Sequence, residues 1–345
     1  MSEEQQETFE RLDRLLRDDE LVCQLPLGDV SRYAILSDLH LGDGGGSDNF
    51  AHNQSALQCA LEHYRHSGYS VILAGDTEEL WQFDLSEIRD RYDNTVYSAL
   101  RSFAPARIHR VYGNHDLEWA GLCDPTVPEG GTHRWATEGV RLGDRVLITH
   151  GHQGEPFSDK RAWISRFAVR LFRYVEPLAR WLGWGDRAAT QSRVPKDRER
   201  TYYRWAKEAR VILICGHTHR AFFDSRSRYV RLQEGLAELS TEVSLDRSKA
   251  LVRDRRQLRR ELAQERRRGR DIGPLERDER PLPCYFNCGC GCYTHGLTNL
   301  EIEAGTIRLV KWHSDEALPP GERREVYQEG NLDQFIQIVV GSQQA

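Results

Sequence analysis

The sequence predicts an α/β fold, and two observations support that prediction. Five short apolar runs have the length and composition of strands that are buried on both faces of a sheet. Each run ends abruptly in polar residues that include aspartate, asparagine or histidine. Because ligands of open α/β sheets bind outside the carboxyl ends of the strands, these endings predict one shared site. The five runs are Ala34–Ser37, Ser70–Ala74, Ile108–Tyr112, Val146–Thr149 and Val211–Cys215.

The composition is that of a globular protein without a membrane span. Of the 345 residues, 29% are charged and 39% are hydrophobic, and the formal net charge is -5. That net charge gives no reason to expect a nucleic-acid partner. The sequence contains no run of about 18 apolar residues, and its acidic start lacks the apolar core of a signal peptide. We therefore expect a cytoplasmic protein, with peripheral contact to a membrane as an alternative.

The N-terminal segment is predicted to be an amphipathic helix over residues 1–24. Phe9, Leu12, Leu15 and Leu16 recur at helical spacing, with charged residues between them. We expect this helix to pack on the main domain, and a partner-binding role is the alternative. The predicted organisation is an N-terminal helical unit of residues 1–31 and a main domain of residues 32–345.

The first apolar run ends in Asp38 and His40, two residues apart. At the mouth of a strand, side chains at positions i and i+2 can point the same way. A carboxylate beside an imidazole is a reasonable beginning of a site for a borderline divalent cation. The same pattern then recurs after each later run, so the five endings together predict a metal site.

The later endings add further oxygen and nitrogen ligands, and three of them begin with glycine. The glycines before Asp76, Asn114 and His217 permit the backbone angles and close approach that a crowded site requires. The five blocks are Asp38-Leu39-His40, Gly75-Asp76, Gly113-Asn114-His115-Asp116, His150-Gly151-His152 and Gly216-His217-Thr218-His219.

In content and order these five blocks resemble the calcineurin-like metallophosphoesterase superfamily. The resemblance spans residues 33–219, with a looser continuation over residues 284–313. It implies a four-layer α/β/β/α sandwich with helical insertions that holds two divalent metal ions. By position, it assigns Asp38, His40 and His219 to one ion. It assigns Asn114, His150 and His217 to the other, with Asp76 between them, and the family pattern favours His150 over His152.

Mixed nitrogen and oxygen ligands without a thiolate suit a transition metal better than a calcium cage. We expect Mn²⁺, with Fe, Zn or Ni as alternatives. Two such ions about 3.5–4 Å apart can bind a phosphoryl group and acidify the attacking water. His115 is placed to protonate the leaving oxygen or to stabilise charge on the phosphoryl group, and a nearby acid would hold its tautomer. Glu79 and Asp116 are both candidates for that acid, and the family pattern favours Glu79.

The residues after Asp76 indicate the substrate class. Serine/threonine protein phosphatases of the superfamily carry an arginine where this chain has Leu80, so that activity is disfavoured. The spacing of Asp76, Glu79 and Trp81 resembles the UDP-2,3-diacylglucosamine diphosphatase branch, although Trp81 could equally be core packing. We predict hydrolysis of phosphodiester or pyrophosphate bonds in a small phosphate-containing, nucleotide-linked or lipid-linked substrate. A phosphomonoesterase and a non-catalytic metal-bound scaffold are the alternatives.

Two helical insertions are predicted in the main domain. Residues 156–205 alternate aromatic and basic residues, which is typical of a cap over a lipid or a helix on a membrane surface. A helix packed on the sandwich is the alternative. The second insertion spans residues 224–280, and its residues 246–270 contain eleven Lys or Arg against four Asp or Glu. We expect this basic helix to be solvated or paired with acidic surface, with an anionic partner as the alternative.

Four cysteines lie close together in the looser continuation of the resemblance. They could bind a structural zinc ion or form a redox pair, although their C-x-C spacing differs from the usual zinc pattern. Asn287-Cys288-Gly289 could instead be a simple strand end. The following residues predict a hairpin of Leu297–Glu303 and Thr306–Trp312 around Ala304-Gly305. The four cysteines are Cys284, Cys288, Cys290 and Cys292.

Overall fold

A computed structural model describes residues 1–120, 136–154, 197–245, 249–267, 273–275 and 281–342. The helices in these ranges are α1 (Glu3–Arg17), α2 (Gln54–His66), α3 (Leu85–Tyr92), α4 (Ser98–Arg101), α5 (Arg198–Ala209), α6 (Arg228–Leu245), α7 (Lys249–Arg267) and α8 (Leu332–Gly341). The strands are β1 (Val22–Leu25), β2 (Arg32–Leu36), β3 (Ser70–Ala74), β4 (Ile108–Val111), β5 (Gly139–Leu142), β6 (Val146–Thr149), β7 (Ile212–Cys215), β8 (Phe222–Phe223), β9 (Arg226–Ser227), β10 (Tyr285–Asn287), β11 (Leu297–Glu303), β12 (Thr306–Trp312) and β13 (Arg324–Asn331).

The described strands form two mixed sheets. One has seven strands in the order β1-β5-β6-β7-β10-β8-β9, and the other has six in the order β13-β12-β11-β2-β3-β4. In the six-stranded sheet, β2, β3 and β4 run parallel to one another. In the seven-stranded sheet, β6, β7 and β10 are parallel. Parallel strands place their carboxyl ends at one edge of a sheet, so each sheet presents one set of polar strand endings.

The two sheets pack between layers of helices, as the predicted four-layer sandwich requires. Successive residues of β2 illustrate the arrangement. Ile35 belongs to a core cluster that includes residues from both sheets, whereas Ala34 and Leu36 belong to a second cluster beneath α2. On the opposite side, Tyr202 and Trp205 of α5 join the first cluster. Because β2 is covered on both faces, its side chains are apolar until the strand ends.

The predicted helix over residues 1–24 is correct for α1 and wrong beyond it. The capping box at Ser2 begins α1, and the helix ends at Arg17, before an acidic turn. Val22–Leu25 then forms strand β1, which pairs in parallel with β5. Leu12 and Leu15 are buried in the core, so the residues before position 32 supply both a helix and a strand to the sandwich.

Only the end of the predicted cap over residues 156–205 lies in the described part of the chain. There α5 is a helix whose Tyr202, Tyr203 and Trp205 are buried. The rest of that predicted cap lies outside the described residues. Within the second insertion, α6 and α7 pack against each other, and Arg228 of α6 bonds Glu261 of α7 at 2.9 Å.

The basic face of α7 is exposed to solvent. The exposed residues include Arg253, Arg256, Arg259 and Arg260. The helix is therefore solvated at those arginines.

The predicted C-terminal hairpin is confirmed, because β11 and β12 have the predicted bounds and pair antiparallel from Leu297 with Trp312 to Glu303 with Thr306. The chain beyond Pro319 gave no prediction, yet it supplies β13, the edge strand beside β12, and helix α8. None of the described helices combines the length and the apolar character needed to cross a membrane.

Candidate metal centre

The strand endings bring all seven predicted metal ligands into one region. Asp38 and His40 follow β2, Asp76 follows β3, Asn114 lies after β4, His150 follows β6, and His217 and His219 lie after β7. Asp38, Asp76 and His150 are almost fully buried. Within the described residues, nine non-glycine residues have a positive φ, and five of them are predicted ligands of this site. Such conformations cost free energy and persist only where the surrounding fold holds them. The five are Asp38, His40, Asp76, His217 and His219.

One group of donors consists of Asp38, His40 and His219. Nε2 of His219 lies 3.1 Å from Oδ1 of Asp38 and 3.1 Å from Nε2 of His40. Nε2 of His40 lies 3.9 Å from the same Asp38 oxygen. The other oxygen of Asp38 accepts hydrogen bonds from the Ser37 hydroxyl and from the backbone N–H of His217. These bonds fix the carboxylate and direct Oδ1 toward the two imidazoles.

A second group consists of Asp76, His150 and His217. Nε2 of His150 lies 3.1 Å from Oδ2 of Asp76 and 3.2 Å from Oδ1 of Asn114. The ring of His217 lies 5.1 Å from that of His150. Oδ2 of Asp76 is also 3.8 Å from Nε2 of His40. Asp76 therefore lies between the two groups of donors.

These separations fit transition-metal ligation. Two donors that each lie about 2.1 Å from one ion are separated by roughly 3 Å. The contacts of His219 with Asp38 and with His40, both at 3.1 Å, have that spacing. The contact of His150 with Asp76 at 3.1 Å has it too. Two nearby imidazole nitrogens beside carboxylates also form the mixed donor set that such ions prefer. The residues present therefore fit divalent metal ions.

Either His150 or His152 could be the metal ligand after β6, and the structure agrees with the family pattern in favouring His150. Nδ1 of His150 donates a hydrogen bond to the carbonyl oxygen of Ala74 at 3.0 Å, which leaves Nε2 for the donors of the site. The ring of His152 packs 5.4 Å from that of His150. Among the described residues, His152 belongs to none of the candidate ligand clusters. A backbone acceptor of this kind orients metal-binding histidines generally.

Glu79 holds two imidazoles at once. Its Oε2 accepts a hydrogen bond from Nδ1 of His40 at 2.8 Å, and its Oε1 accepts one from Nδ1 of His115 at 2.7 Å. A carboxylate only accepts hydrogen bonds, so both rings carry their proton on Nδ1 and leave Nε2 for the site. Burial opposes ionisation of Glu79, but His115 and His40 lower its pKa to about 2.

The acids of the site attract positive charge strongly. Burial alone would raise the pKa of Asp38, yet the charges of His219 and His150 hold it far below its usual value. Against the effect of burial, Asp76 and Asp38 raise the pKa of His150 to about 9. Asp38 and Cys290 likewise raise the pKa of His219 to about 10. This concentration of negative charge is the property that a divalent-cation site requires.

In the described part of the chain the Asp116 carboxylate makes no hydrogen bond to the neighbouring His115 ring, whereas Glu79 does, so the structure favours Glu79 as the acid beside that imidazole. The Asp116 carboxylate accepts hydrogen bonds from the backbone N–H groups of Gly113 at 2.6 Å and Thr77 at 2.8 Å. It therefore links the loop after β4 to the loop after β3. Burial and the charge of Asp76 raise its pKa to about 7. The family pattern favours Glu79 over Asp116, and the hydrogen bond between His115 and Glu79 agrees with it.

Two glycines confirm the predicted close approach of backbone to ligand. Gly75 has a φ of +91°, and a Cβ atom there would meet the ring of His150. A Cβ atom on Gly216 would meet the side chains of Ser37 and Asp38. Larger residues at either position would displace a metal ligand.

The four clustered cysteines are not brought to one point. Cys284 and Cys288 belong to the main core cluster, whereas Cys290 and Cys292 form a separate cluster with Tyr293. Among the described residues, no candidate ligand cluster contains any of the four. The structure therefore gives no support to the alternative of a zinc site.

Comparisons with known proteins identify the family of the chain. Residues 32–245 match the calcineurin-like phosphoesterase superfamily domain. The structure is similar to a conserved uncharacterized protein of Streptococcus pneumoniae, described as a predicted phosphoesterase. That pair shares 14% identity over 86% of this chain and 97% of the other, with a TM-score of 0.30. It is also similar to a single mutant of Vps29 from Entamoeba histolytica, with 13% identity over 87% of this chain and 98% of the other and a TM-score of 0.32. The comparison with curated proteins gave no match. Because the family match covers more than half of the sequence, the chain belongs to the calcineurin-like phosphoesterase superfamily and is a metal-dependent phosphoester hydrolase.

Proposed function

We propose that the protein is a dinuclear metal-dependent hydrolase that cleaves phosphodiester or pyrophosphate bonds by in-line attack of water. The observation that carries this proposal is the pair of hydrogen bonds to Glu79. One carboxylate orients a metal-ligand histidine, His40, and a second histidine, His115, which is free to act on substrate. The second bond orients an imidazole that is not among the seven predicted metal ligands.

The donor geometry supports two ions. In the proposal, Asp38, His40 and His219 hold one ion, and Asp76 lies between the two sites. Asn114, His150 and His217 hold the other. When bound, divalent cations supply Lewis acidity that polarises a phosphoryl group and makes water a better nucleophile. We favour Mn²⁺ from the nitrogen and oxygen donor set, with Fe, Zn or Ni as alternatives.

His115 supplies the proton for the leaving group. Its Nδ1–H is held by Glu79 at 2.7 Å, so the proton that is transferred is the second one of the imidazolium form, carried on Nε2. The backbone N–H of His115 also donates to Oδ1 of Asp76 at 2.8 Å, which ties the general acid to a metal ligand. Asp116 has a supporting role, because it joins the backbones of the two loops that carry these residues. General acids of this kind typically contribute about 10²–10⁴-fold to a rate.

The finer substrate class rests on the spacing of Asp76, Glu79 and Trp81, which resembles the UDP-2,3-diacylglucosamine diphosphatase branch. A nucleotide-linked or lipid-linked pyrophosphate is the substrate class that this resemblance favours. The cap that would hold acyl chains falls mostly on residues 155–196, outside the described part of the chain. Phosphomonoester hydrolysis is the second candidate, since the same donors could bind a terminal phosphate.

The test is initial-rate hydrolysis of bis-p-nitrophenyl phosphate and p-nitrophenyl phosphate by the purified full chain, with Mn²⁺ and with chelator. We expect chelator-sensitive turnover that is faster with the diester. Faster turnover of the monoester would instead support the second candidate. In the same assay, His115→Ala should retain its metal content, measured by mass spectrometry, and lose rate. Metal binding without turnover of either ester or of a nucleotide pyrophosphate would contradict the proposal and favour a scaffold.

A further inference from the structure

The indole of Trp81 lies flat against the imidazole of His115. The ring centroids are 4.1 Å apart, and the planes are inclined by only 19°. The ring of His40 meets His115 edge-on, with centroids 4.7 Å apart and planes at 88°. The flat face of the His115 ring therefore stacks on Trp81, and the rings of His115 and His40 are perpendicular to each other.

The hydrogen bond to Glu79 alone does not define where Nε2 of His115 points. That bond fixes Nδ1 at 2.7 Å from the carboxylate, but an imidazole held at one atom can still tilt about it. A flat partner against the ring restricts the tilt, because stacked rings lose contact when their planes diverge. Glu79 therefore sets the position of Nδ1, and Trp81 sets the plane in which Nε2 lies.

The stacking, rather than a hydrogen bond, accounts for the orientation of Trp81. Its indole N–H is buried and has no hydrogen-bond partner among the described residues. A buried unpaired N–H is unfavourable. The contact with the imidazole is therefore the interaction that stabilises this orientation of Trp81. Packing in the core alone would not explain why the indole ring lies parallel to the imidazole of His115.

Glu79 and Trp81 are carried by one tight turn. The carbonyl oxygen of Glu79 accepts hydrogen bonds from the backbone N–H groups of Gln82 and Phe83 at 3.2 and 3.1 Å. The N–H of Glu79 donates to the carbonyl of Leu41 at 3.0 Å, which ties the turn to the loop after β2. The two residues that restrain His115 therefore sit on the same short, hydrogen-bonded segment.

We propose that Trp81 is a positioning residue that acts through His115, holding its imidazole so that Nε2 reaches the leaving oxygen. This inference rests on the proposed function and extends it to a residue outside the metal ligands and the general acid. Protonation matters most when the leaving group is a poor one. A misaligned His115 should therefore harm the cleavage of a poor leaving group more than that of a good one.

The experiment compares kcat and KM for bis-p-nitrophenyl phosphate, which has a good leaving group, and for diphenyl phosphate, which has a poorer one. For Trp81→Ala we expect kcat to fall about 3-fold on the first substrate and about 30-fold on the second, within the range of general-acid catalysis. KM and metal content should stay near the wild-type values. Trp81→Phe, which keeps a flat ring, should restore most of the rate on diphenyl phosphate.

A double-mutant cycle separates positioning from a structural role. If Trp81 acts through His115, Trp81→Ala should cause no further loss in a His115→Ala background. An equal loss on both substrates, a loss that persists without His115, or a loss of bound metal would overturn the inference. Failure of the proposed function would appear in the wild type, as absence of chelator-sensitive turnover. Failure of the inference would appear only in the variants.

Discussion

Replacement of Glu79 by glutamine should separate the two histidines that its carboxylate now orients. Glu79 accepts from Nδ1 of His40 at 2.8 Å and from Nδ1 of His115 at 2.7 Å, one bond at each oxygen. A glutamine amide offers one acceptor oxygen and one NH₂ donor. Only one imidazole can keep its present bond. The other must rotate or move its proton to Nε2, the nitrogen that the site needs unprotonated in a metal ligand.

The expected size of the effect follows from these two roles. Loss of an outer-shell partner typically costs about 10–100-fold in metal affinity or activity. Loss of a general acid costs about 10²–10⁴-fold in rate. Because one of the two bonds survives, we expect kcat at saturating Mn²⁺ to fall about 100-fold, which is about 2.7 kcal/mol. That value agrees with the roughly 1.5–3 kcal/mol contributed by a hydrogen bond to a charged group.

The assay measures initial rates across a Mn²⁺ titration, so that metal affinity and kcat are read separately. We expect the half-saturating Mn²⁺ concentration of Glu79→Gln to rise roughly 10-fold as well. The matched control is Glu62→Gln, which makes the same chemical change at an exposed position of α2 and should behave as wild type. Wild-type kcat for Glu79→Gln at saturating metal would refute the assignment of Glu79 as the partner of His115.

Three further changes test other parts of the structure. Asp76→Asn should lower the metal content below the two ions per chain that the proposed function expects and abolish metal-dependent turnover, because this carboxylate lies between both donor groups. Full metal content by mass spectrometry and a full rate would contradict that. Gly216→Ala should destabilise the fold by about 1–3 kcal/mol in urea unfolding, since its Cβ would meet side chains at the end of β2. Gly28→Ala, with nothing within 4 Å, should change stability by less than about 0.5 kcal/mol. Arg110→Gln breaks a buried ion pair with Glu78, whose side chains are 9% and 0% exposed. It should cost about 3–5 kcal/mol in the same unfolding experiment, and a loss below 1 kcal/mol would show that the pair is dispensable.

The strands and their polar endings could be predicted because burial on both faces leaves a continuous apolar run. Ser70–Ala74 and Val146–Thr149 have the predicted bounds for this reason. The segment Val22–Leu25 was mistaken for helix, because it follows an amphipathic helix directly and has only four residues. Its pairing with the distant β5 decides its conformation, and such long-range pairing leaves no local signal.

The sequence predicts which residues form the site better than it predicts which of their side chains contact one another. Asp116 is adjacent to His115 along the chain and Glu79 is 36 residues away, and the fold shows that Glu79 is the acid that reaches the imidazole. His150 and His152 follow the same strand, and the carbonyl of Ala74 distinguishes them. The stacking of Trp81 on His115 depends on the turn that carries Trp81. In each case the deciding partner comes from another element of the fold.

Five of the predicted metal ligands have left-handed backbone conformations, and these are the positions where the site costs the fold free energy. Asp and His tolerate positive φ better than most residues, yet each such residue costs of order 1–3 kcal/mol. Asp38 and Asp76 follow strands whose last four residues are buried, and a close-packed core resists the relaxation of what is attached to it. The core therefore holds donors of each group about 3 Å apart. Metal binding then needs little reorganisation of the backbone, so its affinity should depend on the donors and on the partners, such as Glu79, that orient them.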